Sequence, residues 1–397
     1  LRKLSDTQTD FKDGNYGEAY PKETDLTSST QGVPFLRGSD LDNGKLTLTN
    51  ARYITQSKHN ELISGHLIED DIVIAVRGSL GSLGYFGPDN EGWNINSQLA
   101  IIRTRKIELI GNYLIQFLLS NRGNKEISSH ITGTALKQLP IKQLKNIKVP
   151  IPKIEEQSAI GSLFRTLDDL LASYKDNLAN YQSLKATMLS KMFPKSGQTV
   201  PEIRLDGFEG EWDLIKLGDF CDLITKGTTG KSQSEQGMVN FVKVENLKDN
   251  EIYPIVKISE EEHFGSLKRS ILYEGDILFS IAGTLGRTAI VKNNILPANT
   301  NQALAIIRGY KLDTYFLLVV LSGEVVKDYI RKNPTVGAQP NLSLEQVSSL
   351  KIKIPSLDEQ QAIGSYFSNL DNLINSHQEK ITQLGTLKKK LLENMFI

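Results

Sequence analysis

The sequence lacks several features that would assign its 397 residues to other classes of protein. It has one cysteine, Cys221, so no internal disulfide can form and we expect a buried, reduced thiol. Basic and acidic residues both total 46, so no net charge attracts the chain to a polyanion. The longest strongly apolar run, residues 315–321, is far shorter than the roughly 20 residues of a membrane span. With no basic-then-apolar opening segment, these absences favour the cytosol and exclude a membrane protein.

Recognisable catalytic machinery is also missing. The five histidines are scattered singly, and no cluster of histidine and cysteine has the spacing of metal ligands. Neither an Asn-Pro-Pro-aromatic methyltransferase signature nor a Gly-x-Ser-x-Gly nucleophile elbow is present. The composition, 39% hydrophobic and 23% charged, is that of an ordinary globular protein with a sizeable core. We therefore expect a binding protein with no catalytic residue, metal or cofactor of its own.

The chain contains two tandem copies of one sequence unit. The run IPKIEEQSAIGSLFRTLDDL from Ile151 recurs 203 residues later as IPSLDEQQAIGSYFSNLDNL from Ile354, and both copies end in Met-Phe. The preceding regions match more weakly with an offset of 205, for example NSQLAIIR from Asn96 against NQALAIIR from Asn301. Such self-similarity identifies an internal repeat. The segments that stay alike are those that perform the same task twice.

Each closely repeated segment predicts a long helix with a coiled-coil seam. Acidic residues follow Pro152 and Pro355, where the helix dipole favours them, and large or apolar residues then alternate at steps of four and three. The seam position is lysine once in each copy, at Lys185 and Lys388, and His377 is expected to pack within the seam. Since neither helix can bury its seam alone, we predict that the two pair antiparallel, which relates the halves by a pseudo-twofold axis.

The fold class predicted is α/β (α+β), with two tandem domains, each a twisted sheet with few helices, separated by the two long helices. Strands are expected at 71–76, 99–102, 277–281 and 303–307, and one helix per half at 112–119 and 314–329. The predicted segments are residues 1–150 (first domain), 151–193 (first long helix), 194–353 (second domain) and 354–397 (second long helix).

Glycine-rich turns follow equivalent strands in both copies. They are GSLGSLG from Gly78 and GTLGR from Gly283, and glycine permits a close backbone approach to a ligand. The flanking Arg77 and Arg287 suit phosphate or a guanine edge, and Ser79 and Thr284 lie within the turns. The alternative is a tight hairpin with solvated arginines.

Two further sets of residues are candidate contacts to a ligand. Arg37 and Lys243 each lie in a predicted strand after a Gln-Gly turn, although charged strand residues usually face water. Gln339 and Asn341 are able to bind adenine in a bidentate manner, but Asn341 is equally suited to capping the next segment, and the first copy has Leu136 and Gln138 there.

In these paired features the chain resembles the specificity subunit of type I restriction-modification systems over nearly its whole length. The features are the repeated Ile-Pro-x-x-(Glu/Asp)-Glu-Gln openings, the Met-Phe ends, the Asp-Ile strand with its Gly-(Ser/Thr)-Leu-Gly turn, and the Glu-Gly-Glu-Trp212 segment. The first copy departs from the pattern because it has no counterpart of the Trp212 segment. Because the chain begins with leucine, we expect that residues precede Leu1.

The resemblance implies a non-catalytic subunit with two target-recognition domains, each of which reads half of a split site in double-stranded DNA. It implies docking of two modification subunits on the repeated regions, for which Glu156, Gln157, Glu359 and Gln360 are candidate contacts. Those subunits would use S-adenosylmethionine to methylate adenine N6, and restriction subunits would use ATP and Mg for translocation and cleavage. The alternative is a protein-interaction scaffold with two divergent binding domains on a coiled coil.

Overall fold

The computed structural model describes residues 1–87, 92–230, 237–254, 256–333 and 341–396. The chain divides into two compact units, one formed by residues 1–175 with 379–397 and the other by residues 176–378. The division differs from the linear one drawn from the sequence, because each unit contains parts of both long helices. Within the described ranges no helix is long and apolar enough to cross a membrane.

The first unit is built from short strands and short helices around three apolar clusters. Its strands are β1 (Arg2–Lys3), β2 (Asp10–Asp13), β3 (Leu26–Thr27), β4 (Val33–Leu36), β5 (Leu41–Asp42), β6 (Lys45–Leu46), β7 (Arg52–Ile54), β8 (Ile72–Ala75), β9 (Leu83–Tyr85), β10 (Asn94–Ile95), β11 (Leu99–Arg103) and β12 (Lys148–Val149). Its short helices are α1 (Gln56–Glu61), α2 (Gly111–Leu119), α3 (Asn121–Ser129) and α4 (Ile141–Leu144).

The first long helix, α5 (Ile154–Lys191), leads into the second unit, which repeats most elements of the first in the same order. Its strands are β13 (Asp213–Lys216), β14 (Cys221–Lys226), β15 (Val239–Val242), β16 (Leu247–Lys248), β17 (Glu251–Ile252), β18 (Val256–Ile258), β19 (Ile277–Ser280), β20 (Thr288–Ile290), β21 (Ala298–Thr300), β22 (Leu304–Tyr310) and β23 (Lys351–Ile354). Its helices are α6 (Glu260–Phe264), α7 (Thr314–Ser322), α8 (Glu324–Lys332), α9 (Leu344–Ser348) and the second long helix, α10 (Leu357–Met395).

The sheets confirm the predicted repeat. An antiparallel sheet in the order β2-β11-β8-β9 in the first unit corresponds to β14-β22-β19-β20 in the second. A second sheet, β10-β4-β7-β3, corresponds to β21-β15-β18, and its β4–β10 and β15–β21 pairs are parallel in both units. The four predicted strands are confirmed as β8, β11, β19 and β22. Each domain therefore contains more than one sheet, and the prediction of a single twisted sheet in each domain is wrong.

The central strands are continuous apolar runs because both of their faces are covered. Ile72 and Ile74 of β8 pack in one apolar cluster, and Val73 and Ala75 pack in another, all with no exposed surface. At the equivalent place in the second unit, Phe279 faces one cluster and Leu278 another. A strand covered on both sides has no polar face and so does not alternate.

The predicted helix at 112–119 is confirmed by α2, but the continuous helix at 314–329 is wrong. The chain breaks at Gly323, which has extended backbone angles (φ −79°, ψ 175°), ends α7 and precedes α8. Glycine has a low helix propensity, and here it allows a sharp change of direction between an apolar helix and a polar one. The separate helix α3 in the first unit was not predicted.

In each unit, the first half of one long helix pairs antiparallel with the second half of the other. In the first unit, Phe164 stacks on Phe396, and Lys388 Nζ lies 2.6 Å from Asp168 Oδ1. In the second unit, Lys185 pairs with Asp371, and the rings of Tyr181 and His377 meet edge to face at 5.2 Å. The seam prediction for His377 is thus confirmed, and each seam lysine has an aspartate partner on the facing helix.

Candidate nucleic-acid interface

The glycine turns are hairpin connections whose backbone requires glycine. Gly78 and Gly81 have φ of 72° and 79°, and Gly283 and Gly286 have φ of 75° and 80°, a region that other residues rarely occupy. Each turn is closed by a backbone bond across it, from Gly81 N to Ala75 O (2.9 Å) and from Gly286 N to Ser280 O (3.0 Å). The two turns therefore share the same backbone conformation and the same closing hydrogen bond.

Ser79 and Thr284 are exposed on these turns. Ser79 lies beside Gly38, because a methyl group added to Gly38 would contact the Ser79 Cβ at 3.6 Å. In the second unit, Arg287 Nη1 donates to the carbonyl oxygens of Val244 (3.2 Å) and Leu247 (3.4 Å). In both units the hairpin turn therefore packs on the short helical turn that follows β4 or β15.

Arg37 and Lys243 occupy equivalent positions, but the prediction that they lie within strands is wrong. Each is the residue after its strand and caps the next turn, with the same backbone angles (φ −124°, ψ 170°). The backbone N–H of Arg37 donates to Asp40 and that of Lys243 to Asn246, both at 2.8 Å. Arg37 Nη2 also donates to the Asn50 carbonyl at 2.6 Å, so its guanidinium is held against the surface.

Arg77 is exposed at the end of β8, where its side chain is anchored. Its Nη1 donates to Ser97 O (3.0 Å) and to the Tyr16 hydroxyl (3.2 Å), and its guanidinium carbon lies 5.2 Å from the Tyr16 ring centroid. Burial raises the pKa of the nearby Asp13 carboxyl, while the charge of Arg77 and the Tyr16 hydroxyl oppose that shift. The arginine is thus anchored by the ring and hydroxyl of Tyr16 and by a backbone carbonyl, and it interacts with the Asp13 carboxyl through its charge.

Asn341 lies beside the glycine turn of the second unit. It bridges to Ala282, and the next residue, Leu342, donates its N–H to Ile281 O at 2.8 Å. The first unit makes the same connection from Leu139 N to Val76 O (3.1 Å), which makes Gln138 the counterpart of Asn341. Gln339 lies outside the described residues. Among the described residues, no group of histidine, cysteine, aspartate and glutamate side chains could hold a metal ion.

Three of the candidate partner contacts are engaged within their own unit. Gln157 accepts from Ile110 N and donates to Pro152 O, and Gln360 accepts from Asp313 N and donates to Pro355 O, all at 3.0–3.1 Å. Glu359 is 1% exposed and makes a bidentate ion pair with Arg204. These bonds tie the first turn of each long helix to its domain, and the glutamine bond is the one that recurs in both copies.

Glu156, by contrast, is exposed, and its charge adds to the effect of burial in raising the pKa of Tyr113. Of the four residues, its side chain alone points to solvent. Contact with a partner stays a prediction for all four.

Two pairs of buried or partly buried polar residues recur in both domains and were not predicted from the sequence. Arg103 makes a bidentate ion pair with Asp71, and Arg308 makes the same pair with Asp276, at 2.6–2.8 Å. His59 also bonds to Asn94, and His263 to Asn299. The repeat itself could have indicated these residues, because they are identical between the two copies at offsets of 204 and 205. Their position inside the domains indicates a structural role.

Comparison with known proteins agrees with this architecture. A curated relative, the putative type I restriction enzyme MjaX specificity subunit of Methanocaldococcus jannaschii, is 24% identical over 377 residues, which are 91% of this chain and 85% of the relative. The MjaVIII specificity subunit of the same organism is 25% identical over 67% of this chain, and the chain spans 65% of that relative. The EcoBI specificity subunit of Escherichia coli is 21% identical over 94% of this chain and 81% of the relative.

A solved structure has the same fold. The crystal structure of the type I restriction-modification S subunit from M. genitalium matches with a TM-score of 0.65 and 16% identity, covering 100% of this chain and 95% of that one. The family model for the type I restriction modification DNA specificity domain matches twice, at residues 9–180 and 209–386. The chain therefore belongs to the type I restriction-modification DNA specificity family and carries two copies of its domain.

Proposed function

We propose that each domain reads one half of a bipartite site in double-stranded DNA, and that the faces that read it are built around the two glycine turns. The observation that carries this proposal is a shared backbone with different side chains. Both units place a glycine hairpin against a capped helical turn, yet the exposed residues differ, with Arg77 and Ser79 in one and Thr284, Arg287 and Asn341 in the other. A constant frame with variable contacts suits two different half-sites.

The proposed assembly leaves the chemistry to other subunits. Modification subunits that dock on the repeated segments would bring S-adenosylmethionine and methylate adenine N6, and restriction subunits would bring ATP and Mg. The chain itself would select the site. With equal numbers of acidic and basic residues, 46 each, it would depend on its partners for much of the electrostatic attraction to the phosphate backbone.

The two long helices are proposed to set the spacing between the half-sites. The chain passes from one unit to the other inside α5 and inside α10, with no loop at either crossing. Two readers joined in this way engage only half-sites that are separated by a matching length of duplex, and the two readings reinforce one another through effective concentration.

An exchange of domains tests the proposal. Residues 1–150 are replaced by the corresponding domain of another specificity subunit, and the chimera is co-expressed with its modification subunits. Methylome sequencing is expected to show that one half-site changes while the other half-site and the spacer stay the same. A change in both half-sites, or in neither, would contradict the assignment of one half-site to each domain.

A second measurement separates DNA recognition from a protein-interaction scaffold. Purified chain with and without its modification subunits is tested for binding to duplex that carries the methylated site, with scrambled duplex as the control. Sequence-specific binding in the presence of the modification subunits supports recognition. Absence of DNA binding with any partner supports the scaffold.

A further inference from the structure

Arg77 is held at a fixed point on the first domain. The carbonyl of Gln98 accepts hydrogen bonds from the backbone N–H groups of both Val76 (2.8 Å) and Arg77 (3.2 Å), which fixes the end of β8. The side chain leaves this point towards Tyr16 and Ser97, whose oxygens both accept from Nη1. An arginine held in this way has already lost much of the rotamer freedom that binding would otherwise cost.

The two anchoring hydrogen bonds both come from Nη1 of the Arg77 guanidinium, so Nε and Nη2 remain able to donate to a ligand. Arginine has five N–H donors, and in the described part of the chain only those on Nη1 of Arg77 have hydrogen-bond partners. The residue is exposed, so the edge formed by Nε and Nη2 faces solvent. Two parallel donors on one rigid edge match a ligand with two adjacent acceptors.

The charge beside Arg77 distinguishes between the two ligands in DNA that offer such acceptors. Phosphate oxygens attract the arginine by charge, whereas the O6 and N7 atoms of guanine accept the same two hydrogen bonds without a net charge. The neighbouring Asp13 carboxylate offsets part of the positive charge of Arg77, and burial of Asp13 keeps that interaction from being fully screened. A rigid fork whose charge is partly offset favours guanine over phosphate.

We propose that Arg77 reads a guanine in the major groove of the half-site bound by the first domain, with Tyr16 and Ser97 as positioning residues. This inference rests on the proposed function and specifies one base, a guanine, that the first domain reads. It also predicts an asymmetry between the half-sites. Ala282 stands at the position of Arg77 in the second domain, and its methyl group cannot form hydrogen bonds.

The two positioning residues of Arg77 are also replaced in the second domain. Thr229 and Gln302 replace Tyr16 and Ser97, and Thr229 Oγ1 donates to Gln302 Oε1 at 2.9 Å. Tyr16 and Thr229 are equivalent because each lies two residues after an equivalent glycine. Gly14 lies against the backbone carbonyl of Asn96, and Gly227 lies against that of Asn301, so closely that a side chain would overlap the carbonyl. Guanine reading by this set is thus confined to the first half-site.

The test uses the complex with its modification subunits and duplexes in which each base pair of the first half-site is replaced in turn. Arg77→Ala is expected to reduce discrimination at a single guanine position by about 10- to 100-fold, and to leave the second half-site unchanged. Arg77→Lys keeps the charge but lacks the fork, so the same loss of discrimination is expected with little loss of affinity. Tyr16→Phe is expected to weaken discrimination at that position only, which a purely structural role would not do.

Lys106→Ala is the matched control. It removes one exposed positive charge from the same domain, beyond the opposite end of β11, where Lys106 pairs with Glu69. Equal loss of affinity by Arg77→Ala on every duplex, with a shallower salt dependence, would overturn the proposal in favour of a phosphate contact. Unchanged discrimination would overturn it as well. Failure of the proposed function is distinguishable, because the unsubstituted complex would then show no sequence preference at all.

Discussion

The seam ion pairs allow one quantitative test of how the long helices hold together. In the first unit, Lys388 and Asp168 have side chains that are 16% and 22% exposed, and their charged atoms lie 2.6 Å apart. Lys185 and Asp371 form the equivalent pair in the second unit but are more exposed, at 28% and 29%. The chain therefore contains the same interaction in two environments. Lys388→Met removes the cation and leaves an aspartate that is mostly shielded from water.

The magnitude follows from the partial burial. Two unit charges 4 Å apart attract by about 4 kcal/mol at an effective dielectric constant near 20, and desolvation together with loss of lysine rotamers offsets much of this. We expect a coupling free energy of about 1–2 kcal/mol for Lys388 with Asp168, above the range of exposed pairs. The coupling for Lys185 with Asp371 is expected to be smaller. Asp168→Asn added to Lys388→Met should recover most of the lost stability, because no uncompensated charge remains.

The assay is a double-mutant cycle measured by urea unfolding. The two tryptophans, Trp93 and Trp212, lie in different units, so a Trp→Phe background in one unit makes fluorescence report on the other. The equivalent cycle on Lys185 and Asp371 serves as the internal comparison. A coupling of zero, or a larger coupling for the more exposed pair, would refute the reasoning that partial burial makes these pairs stabilising.

Three further predictions concern stability, spacing and thiol reactivity. Arg103→Met leaves Asp71 fully buried without its partner and should lower the free energy of unfolding by about 3–5 kcal/mol in a urea titration; a cost below 1 kcal/mol would contradict a buried pair. Inserting one heptad into both α5 and α10 adds about 10 Å to each helix and should lengthen or abolish the preferred spacer in methylome sequencing, whereas an unaltered spacer would exclude the helices as its determinant. Burial, aided by Asp222, raises the pKa of the Cys221 thiol to about 11, so alkylation by iodoacetamide at pH 8 should be about 100-fold slower than in urea and should rise with pH up to 11. The same shift removes stability as pH rises from 9 towards 11, and alkylation at equal rates in the folded and unfolded chain would contradict it.

The repeat made much of the fold predictable from the sequence. The apolar runs at 71–76 and 277–281 have the residues of strands covered on both faces, and β8 and β19 occupy those positions. The heptad spacing predicted the two long helices in the same way. The partners of Lys185 and Lys388 were not predictable, because they depend on the antiparallel register, which the spacing of one helix does not determine.

The candidate site was less predictable, for a physical reason. Residue type indicates what Arg77 is able to bind, but the bonds from its Nη1 to Tyr16 and Ser97 join residues that are far apart in the sequence. Gln157 shows a second case, since residue type suggested a contact to a partner, which stays a prediction, but did not reveal that the buried side chain accepts a hydrogen bond from Ile110 of its own domain. The side chain of Arg77 is exposed and that of Gln157 is buried, and this difference depends on the fold and not on residue type.

The position of the crossings inside the helices has a consequence for how such a protein can diversify. Each unit draws one helix segment from each repeat, so the residues that pair the helices are supplied by α5, by α10 and by Phe396 directly after α10. Recombination within the helical segments could therefore replace a whole domain while every inter-helix contact, including the seam ion pairs, is inherited unchanged. New target sequences would arise in one step, without a compensating change in assembly.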